Sequence, residues 1–185
     1  PRDPDHFALL VANTVFGGTF TARLTQEVRA KRGWSYGAYS SLGYDCRRQA
    51  FSMWTFPKAE DAGPCIALEL EMLTSWSQQG ISAEELDWAK RYLIQSQAFA
   101  RDTAAKRVGL RLDEILNDLP AGMHDEFVAN IERVTLEDAN AAVRQRISLE
   151  NLALVVVGTH SSIGAQVRDA IPGLASERVV AFDAE

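Results

Sequence analysis

Two side chains in this sequence have the types and the spacing to act on a polar substrate. Arg29 and Tyr36 stand seven residues apart, on either side of an Arg32-Gly33 pair that should stop a helix. Arginine offers a planar fork of N–H donors, and tyrosine a single donor or acceptor at the end of a ring. A helix that folds directly into a strand can hold both near one point, where they could bind a carbonyl or an oxyanion. They could not activate water alone. The plainer account is an arginine favouring its helix C-terminus beside a core tyrosine.

Other candidates are weaker. His6, His124 and His160 lie far apart in the chain. A helical zinc site of the H-E-x-x-H or H-x-x-E-H type needs two histidines on one face with a carboxylate between them. His124-Asp125-Glu126-Phe127-Val128 opens in that manner, but Val128 stands where the second ligand is required. Each histidine therefore reads as a lone surface residue. No G-x-S-x-G occurs, and Cys46 and Cys65 show no metal-type spacing. Two free thiols are expected rather than a disulfide. Gly17-Gly18-Thr19 could cradle a phosphate on backbone N–H groups. It lacks both glycine-rich phosphate spacings, so a helix–helix turn is the expectation.

Composition bounds the remainder. A chain of 185 residues with 46% hydrophobic and 24% charged residues fits one globular domain. The formal charge of −6, from 19 cations and 25 anions, argues against a dedicated nucleic-acid binder. It is unevenly spread: Arg23, Arg29, Lys31, Arg32, Arg47 and Arg48 form a basic head, opposed there only by Glu27 and Asp45. An acidic waist follows over 111–140. No apolar run approaches the roughly 18 residues that span a bilayer. The sequence opens on Pro1 without a methionine, so an upstream segment is expected, and the compartment stays open.

The elements that must position Arg29 and Tyr36 follow from periodicity. Residues 5–16 carry Phe7, Leu10, Val11 and Val15 at helical spacing, with Asp3 or Asp5 as cap and Gly17-Gly18 as stop. A second helix, capped by Thr19 or Thr21, should run to about Lys31 with Leu24 and Val28 on its apolar stripe. Runs 34–44 and 49–56 have strand composition and read as an antiparallel hairpin. Helices are expected over 59–79, 82–101, 103–119, 123–133 and from Thr135, the second and last with capping boxes at Ser82/Glu85 and Thr135/Asp138. Leu152 to Val157, LALVVV, reads as a buried strand, 161–170 as a helix, and 178–182 as a final strand. Helices and paired strands segregated in this way indicate one α+β domain.

Longer motifs carry a resemblance. Asn13, Gly17, Gly18, Phe20, Arg23, Leu24, Val28, Arg29, Gly33 and Tyr36 lie in a stretch that resembles the C-terminal, non-catalytic domain of pitrilysin/insulinase-type zinc metallopeptidases, the inverzincins. The segments GISAEELDWAKRYL and IERVTLEDANAAVRQRISLENLALVVVG resemble further motifs of that family, in the same order, and together they span almost the whole chain. Ala22 departs from the serine common before Arg23-Leu24, and the family's usual first edge strand has no counterpart in these residues.

The resemblance implies a metallopeptidase-homology (LuxS/processing-peptidase-like) fold, a mostly antiparallel sheet packed on one face by helices. It implies one inactive peptidase-homology domain over 1–185, a fragment of a longer chain or one subunit of a heteromer. Such a domain closes with a homologous zinc-bearing catalytic domain around an extended peptide, and Arg29 and Tyr36 would orient the scissile carbonyl and stabilise its oxyanion. No metal ligand is expected in this chain; zinc belongs to the partner. A bacterial periplasmic or cytoplasmic setting fits the resemblance. The alternative is a purely structural scaffold like the core subunits of respiratory complexes, and a polyanion-binding module using Gly17-Gly18 and the basic helix is a third reading.

Overall fold

A computed structural model describes residues 2–43, 47, 49–150 and 152–181. In chain order the helices are α1 (His6–Phe16), α2 (Arg23–Thr25), α3 (Ala62–Gln79), α4 (Ala83–Ala100), α5 (Ala104–Leu116), α6 (Phe127–Arg133), α7 (Leu136–Arg146) and α8 (His160–Asp169). Helix α2 continues without a break as a π-helical segment (Gln26–Lys31). The strands β1 (Ala38–Leu42) and β2 (Phe51–Thr55) form an antiparallel pair, with Tyr39 opposite Trp54 and Ser40 opposite Met53. The architecture is α+β and helix-rich, with a two-stranded sheet smaller than the motifs imply.

Helix α1 is central and packs against α4, α6, α7 and β1. Val11, Val15 and Phe16 enter one core with Leu24, Val28, Trp76, Ile131 and Val143. The Phe16 and Trp76 rings stack at 4.2 Å, and Phe51 closes over both. The inward face of the hairpin, from Ala38 to Phe51, covers this core. Its other face leaves Tyr39 and Trp54 together at the surface, 6.0 Å apart.

Gly17 is where helix and sheet meet. A Cβ there would fall 2.3 Å from Ser40 Oγ and 2.7 Å from Ser40 N, so only glycine permits the contact. Both Gly17 and Gly18 donate their N–H groups to Asn13 O, at 3.0 and 2.8 Å, so this glycine pair is engaged within the helix end. Asn13 also receives the Ser40 hydroxyl at 2.6 Å. The two capping boxes form as read, at Ser82/Glu85 and Thr135/Asp138.

Several expectations change. Asp5 sits at the start of α1, but its carboxylate accepts from Arg146 at 2.6 Å instead of capping the helix. Ala22, not Thr19 or Thr21, precedes α2. The LALVVV segment forms no strand over 152–157, and Val155 and Val157 are each 89% exposed. A strand needs neighbouring backbone groups as well as apolar side chains, and no described strand lies beside this one. Residues 178–181 likewise form no strand, and Phe182 lies outside the described residues. The histidines are not lone surface groups. His6 packs edge-on to Phe7, and burial drives its imidazole down to about 4. His124 Nε2 lies 3.1 Å from Asp113, and His160 lies 3.5 Å from Glu177. Cys65 is a buried free thiol, pushed up to about 12 first by desolvation, whereas Cys46 lies outside the described residues.

Candidate functional site

The path from α2 to β1 is fixed by small buried hydroxyl groups. Thr25 donates its Oγ1 proton to Ala38 O at 2.9 Å, tying the helix to the first strand. Ser35 donates to Gly37 O at 2.8 Å and accepts from Phe56 N at 3.1 Å, so the residue before Tyr36 is anchored to the far end of the hairpin. Gly33, with φ of 65°, makes the left-handed turn that ends the π-helical segment. These contacts place Tyr36 beside the last turn of the helix with its ring in solvent.

Arg29 lies within the π-helical segment, where each hydrogen-bonded turn takes up one residue more than in an α-helix. Its guanidinium carbon is 4.4 Å from the centre of the Tyr36 ring and 4.2 Å from that of Phe20. Sequence and structure therefore agree that Arg29 and Tyr36 come together. The guanidinium lies over the phenol ring, and Tyr36 is 80% exposed, which excludes a core tyrosine.

The neighbouring cations are occupied. Arg23 donates from Nε and Nη2 to Glu85 at 2.7 and 2.5 Å and from Nη1 to Gly80 O at 3.1 Å. Lys31 and Arg32 both pair with Glu27, and hydrogen bonds from Lys31 and then Arg32 hold that carboxyl below its usual range. Among the described residues, Arg29 alone of these four has no carboxylate or carbonyl partner. Its in-plane N–H donors and the Tyr36 hydroxyl are thus open to a ligand, and a carbonyl or oxyanion is what such donors take.

Other parts of the molecule offer less. A cleft of about 780 Å³ runs between the α2 region, α3 and α4, lined among others by Arg23, Glu27, Glu71 and Trp88, but Arg29 and Tyr36 do not border it. No group of three or more His, Cys, Asp or Glu side chains among the described residues could hold a metal ion. The residues that sequence reasoning left outside the site are Phe20, Ser35 and Thr25. Phe20 had one visible signal, an aromatic residue two positions after the Gly17-Gly18 turn.

Comparison with known proteins adds the following. A family model described as the peptidase M16 inactive domain matches residues 1–93. The solved structure of a peptidase M16 inactive domain from Pseudomonas fluorescens superposes with a TM-score of 0.70 and 28% identity, over 79% of this chain and 35% of that one. An uncharacterised zinc protease of Mycobacterium bovis is 30% identical over 159 residues, which is 84% of this chain and 35% of the relative. A Helicobacter pylori protein described as a non-peptidase homolog is 22% identical over 77% of this chain and 33% of its own. The chain thus spans about a third of the length of these curated relatives.

Proposed function

Because the chain belongs to the peptidase M16 inactive-domain family, we propose that it is the substrate-binding, non-catalytic half of a zinc metalloendopeptidase. Arg29 and Tyr36 complete an active site whose zinc is held by a homologous partner domain or subunit. The observation that carries this reading is the Arg29 guanidinium, oriented by aromatic rings and left without an anionic partner. Donors fixed in advance and aimed at developing charge lower a barrier more than flexible ones do. Arg29 orients the scissile carbonyl of an extended peptide and, with the Tyr36 hydroxyl, stabilises the oxyanion that forms there.

The test uses the assembly that contains both this domain and the zinc-bearing one. Activity is read on the fastest-cleaved member of a library of internally quenched decapeptides. Arg29→Ala and Tyr36→Phe should each lower kcat/KM by about 100-fold or more, the usual loss on removing one good oxyanion donor. Unchanged kcat/KM in both variants removes the role.

A second reading, a structural scaffold without Arg/Tyr chemistry, draws on two observations. One relative is described as a non-peptidase homolog. The chain also exposes apolar side chains on α5, at Val108, Leu112 and Ile115, and along 152–157. A scaffold needs such faces for its interfaces and needs no open guanidinium. It predicts that Arg29→Ala leaves assembly and activity unchanged.

A further inference from the structure

We infer that Phe20 is a positioning residue for Arg29: with Tyr36 it forms a two-ring clamp that holds the guanidinium plane while leaving its edges free for substrate. This rests on the reading of Arg29 and Tyr36 as a substrate-orienting pair. Phe20 lies in the turn between α1 and α2, where Thr19 and, two residues on, Ala22 are buried. Thr19 is pinned further by its hydroxyl, which donates to Thr14 O at 3.4 Å. The backbone of this turn is therefore anchored, yet the Phe20 ring stands 52% exposed. The core does not claim this ring; the guanidinium at 4.2 Å does.

Both rings lie against the Arg29 guanidinium, with the Phe20 centre 4.2 Å and the Tyr36 centre 4.4 Å from its carbon. That arrangement has a chemical consequence. A carboxylate partner would hold Arg29 firmly but would occupy the N–H edge that substrate needs, as Glu85 does for Arg23. Ring faces hold a cation through its plane and leave every in-plane N–H available. Removing one of the two faces frees the long side chain to sample rotamers in which its donors miss the carbonyl. A misplacement of that kind falls on the chemical step, because ground-state contacts elsewhere along the peptide persist.

The experiment uses the assembly with its zinc-bearing domain and the same quenched decapeptide. Phe20→Leu keeps apolar bulk and removes the ring; Phe20→Tyr keeps the ring. The expected result for Phe20→Leu is a loss of about 10-fold in kcat with KM changed by less than about twofold, and Phe20→Tyr should recover kcat to within about twofold of the parent. A parallel signature is the Arg29 Nε–H proton resonance in ¹⁵N-arginine-labelled protein, identified by its absence in Arg29→Lys. Ring currents should shift it upfield in the parent and in Phe20→Tyr, and this shift should shrink in Phe20→Leu. An unchanged kcat in Phe20→Leu, beside a 100-fold loss in Arg29→Ala, overturns the clamp and leaves the role of the pair standing. Equal losses in Phe20→Leu and Phe20→Tyr overturn it as well, since the ring would not be what matters. If Arg29→Ala itself loses nothing, pair and clamp fall together. Should Phe20→Leu fail to fold, Phe20→Met, equally without a ring, takes its place.

Discussion

Arg23 and Arg29 stand six residues apart on one continuous helical stretch, yet their surroundings assign them opposite work. Arg23 is half-buried and makes three hydrogen bonds, two to Glu85 and one to Gly80 O, which fasten α2 to the start of α4. Glu85 is also the reciprocal partner of Ser82 in the capping box of α4, so a single carboxylate joins two elements. Burial alone would raise that carboxyl, but bonds from Arg23 and from the Ser82 backbone outweigh it and leave it below its usual range. Arg29 has rings where Arg23 has acceptors. The difference teaches that a charge held by hydrogen bonds is structural, whereas one held by ring faces stays available.

Substituting each arginine in turn gives the sharpest way to break this contrast. Arg23→Ala removes three charge-assisted bonds and leaves Glu85 half-buried without its cation, which should destabilise the fold by about 2–3 kcal/mol. Arg29→Ala removes two ring contacts and leaves no carboxylate unpaired, and should destabilise by less than about 1 kcal/mol. Urea denaturation of the two variants measures both. In peptide cleavage the order reverses: the folded fraction of Arg23→Ala should keep kcat/KM within about threefold, against the 100-fold loss foreseen for Arg29→Ala. A stability loss in Arg29→Ala as large as that in Arg23→Ala would return Arg29 to the structural class and favour the scaffold.

Much of this contrast was legible in the sequence, and the limits of legibility are physical. The capping boxes at Ser82 and Thr135 are local signals in which both partners lie within one turn, and they formed as read. The hairpin and the glycine stop at Gly33 follow from composition and backbone preference. What failed depended on partners distant in sequence. Arg23 and Glu85 are 62 residues apart, and nothing in either motif announces their pairing. The π-helical turn that carries Arg29 has no composition of its own. LALVVV has the side chains of a buried strand, but a strand also needs a neighbour's backbone, which the segment cannot report. Phe20 was not placed in the site because periodicity ranks a phenylalanine by hydrophobicity and says nothing of a cation across a turn.

Glu69 on α3 sharpens what an unpartnered charge means. Its Oε1 is enclosed and has no hydrogen-bond partner among the described residues, and desolvation raises its carboxyl from 4.5 to about 7. Arg29 is unpartnered beside the exposed Tyr36 ring, whereas Glu69 has an unpartnered oxygen enclosed by protein, where charge is disfavoured. The folded state therefore binds the Glu69 proton more tightly than the unfolded state does. Its stabilising contribution is fully present below about pH 4.5, declines as pH rises to about 7, and is gone above that. Glu69→Gln keeps the neutral form at every pH. It should match the parent in unfolding free energy near pH 4.5 and exceed it by about 2 kcal/mol near pH 8, a figure reduced because part of the side chain meets water. Equal stability of the two proteins across that range would show that the carboxyl is solvated.

Gly33 provides the finest division between structure and function, because it links the residues on either side of the site. Its φ of 65° is one that a side chain adopts only under strain, but a Cβ there would meet nothing within 4 Å. Gly33→Ala should therefore cost about 1 kcal/mol through backbone conformation alone, and Gly33→Asn less, since asparagine tolerates the left-handed region. Packing makes no contribution to that number. Thr25 and Ser35 hold the flanking backbone independently of this residue. If those bonds fix the approach of Tyr36 to Arg29, both variants should keep kcat/KM within about threefold while their urea midpoints fall in the order Ala below Asn. A loss of activity in Gly33→Ala without a matching loss in stability would instead assign the alignment of the two rings to the turn, and the hydroxyl anchors would have to yield that role.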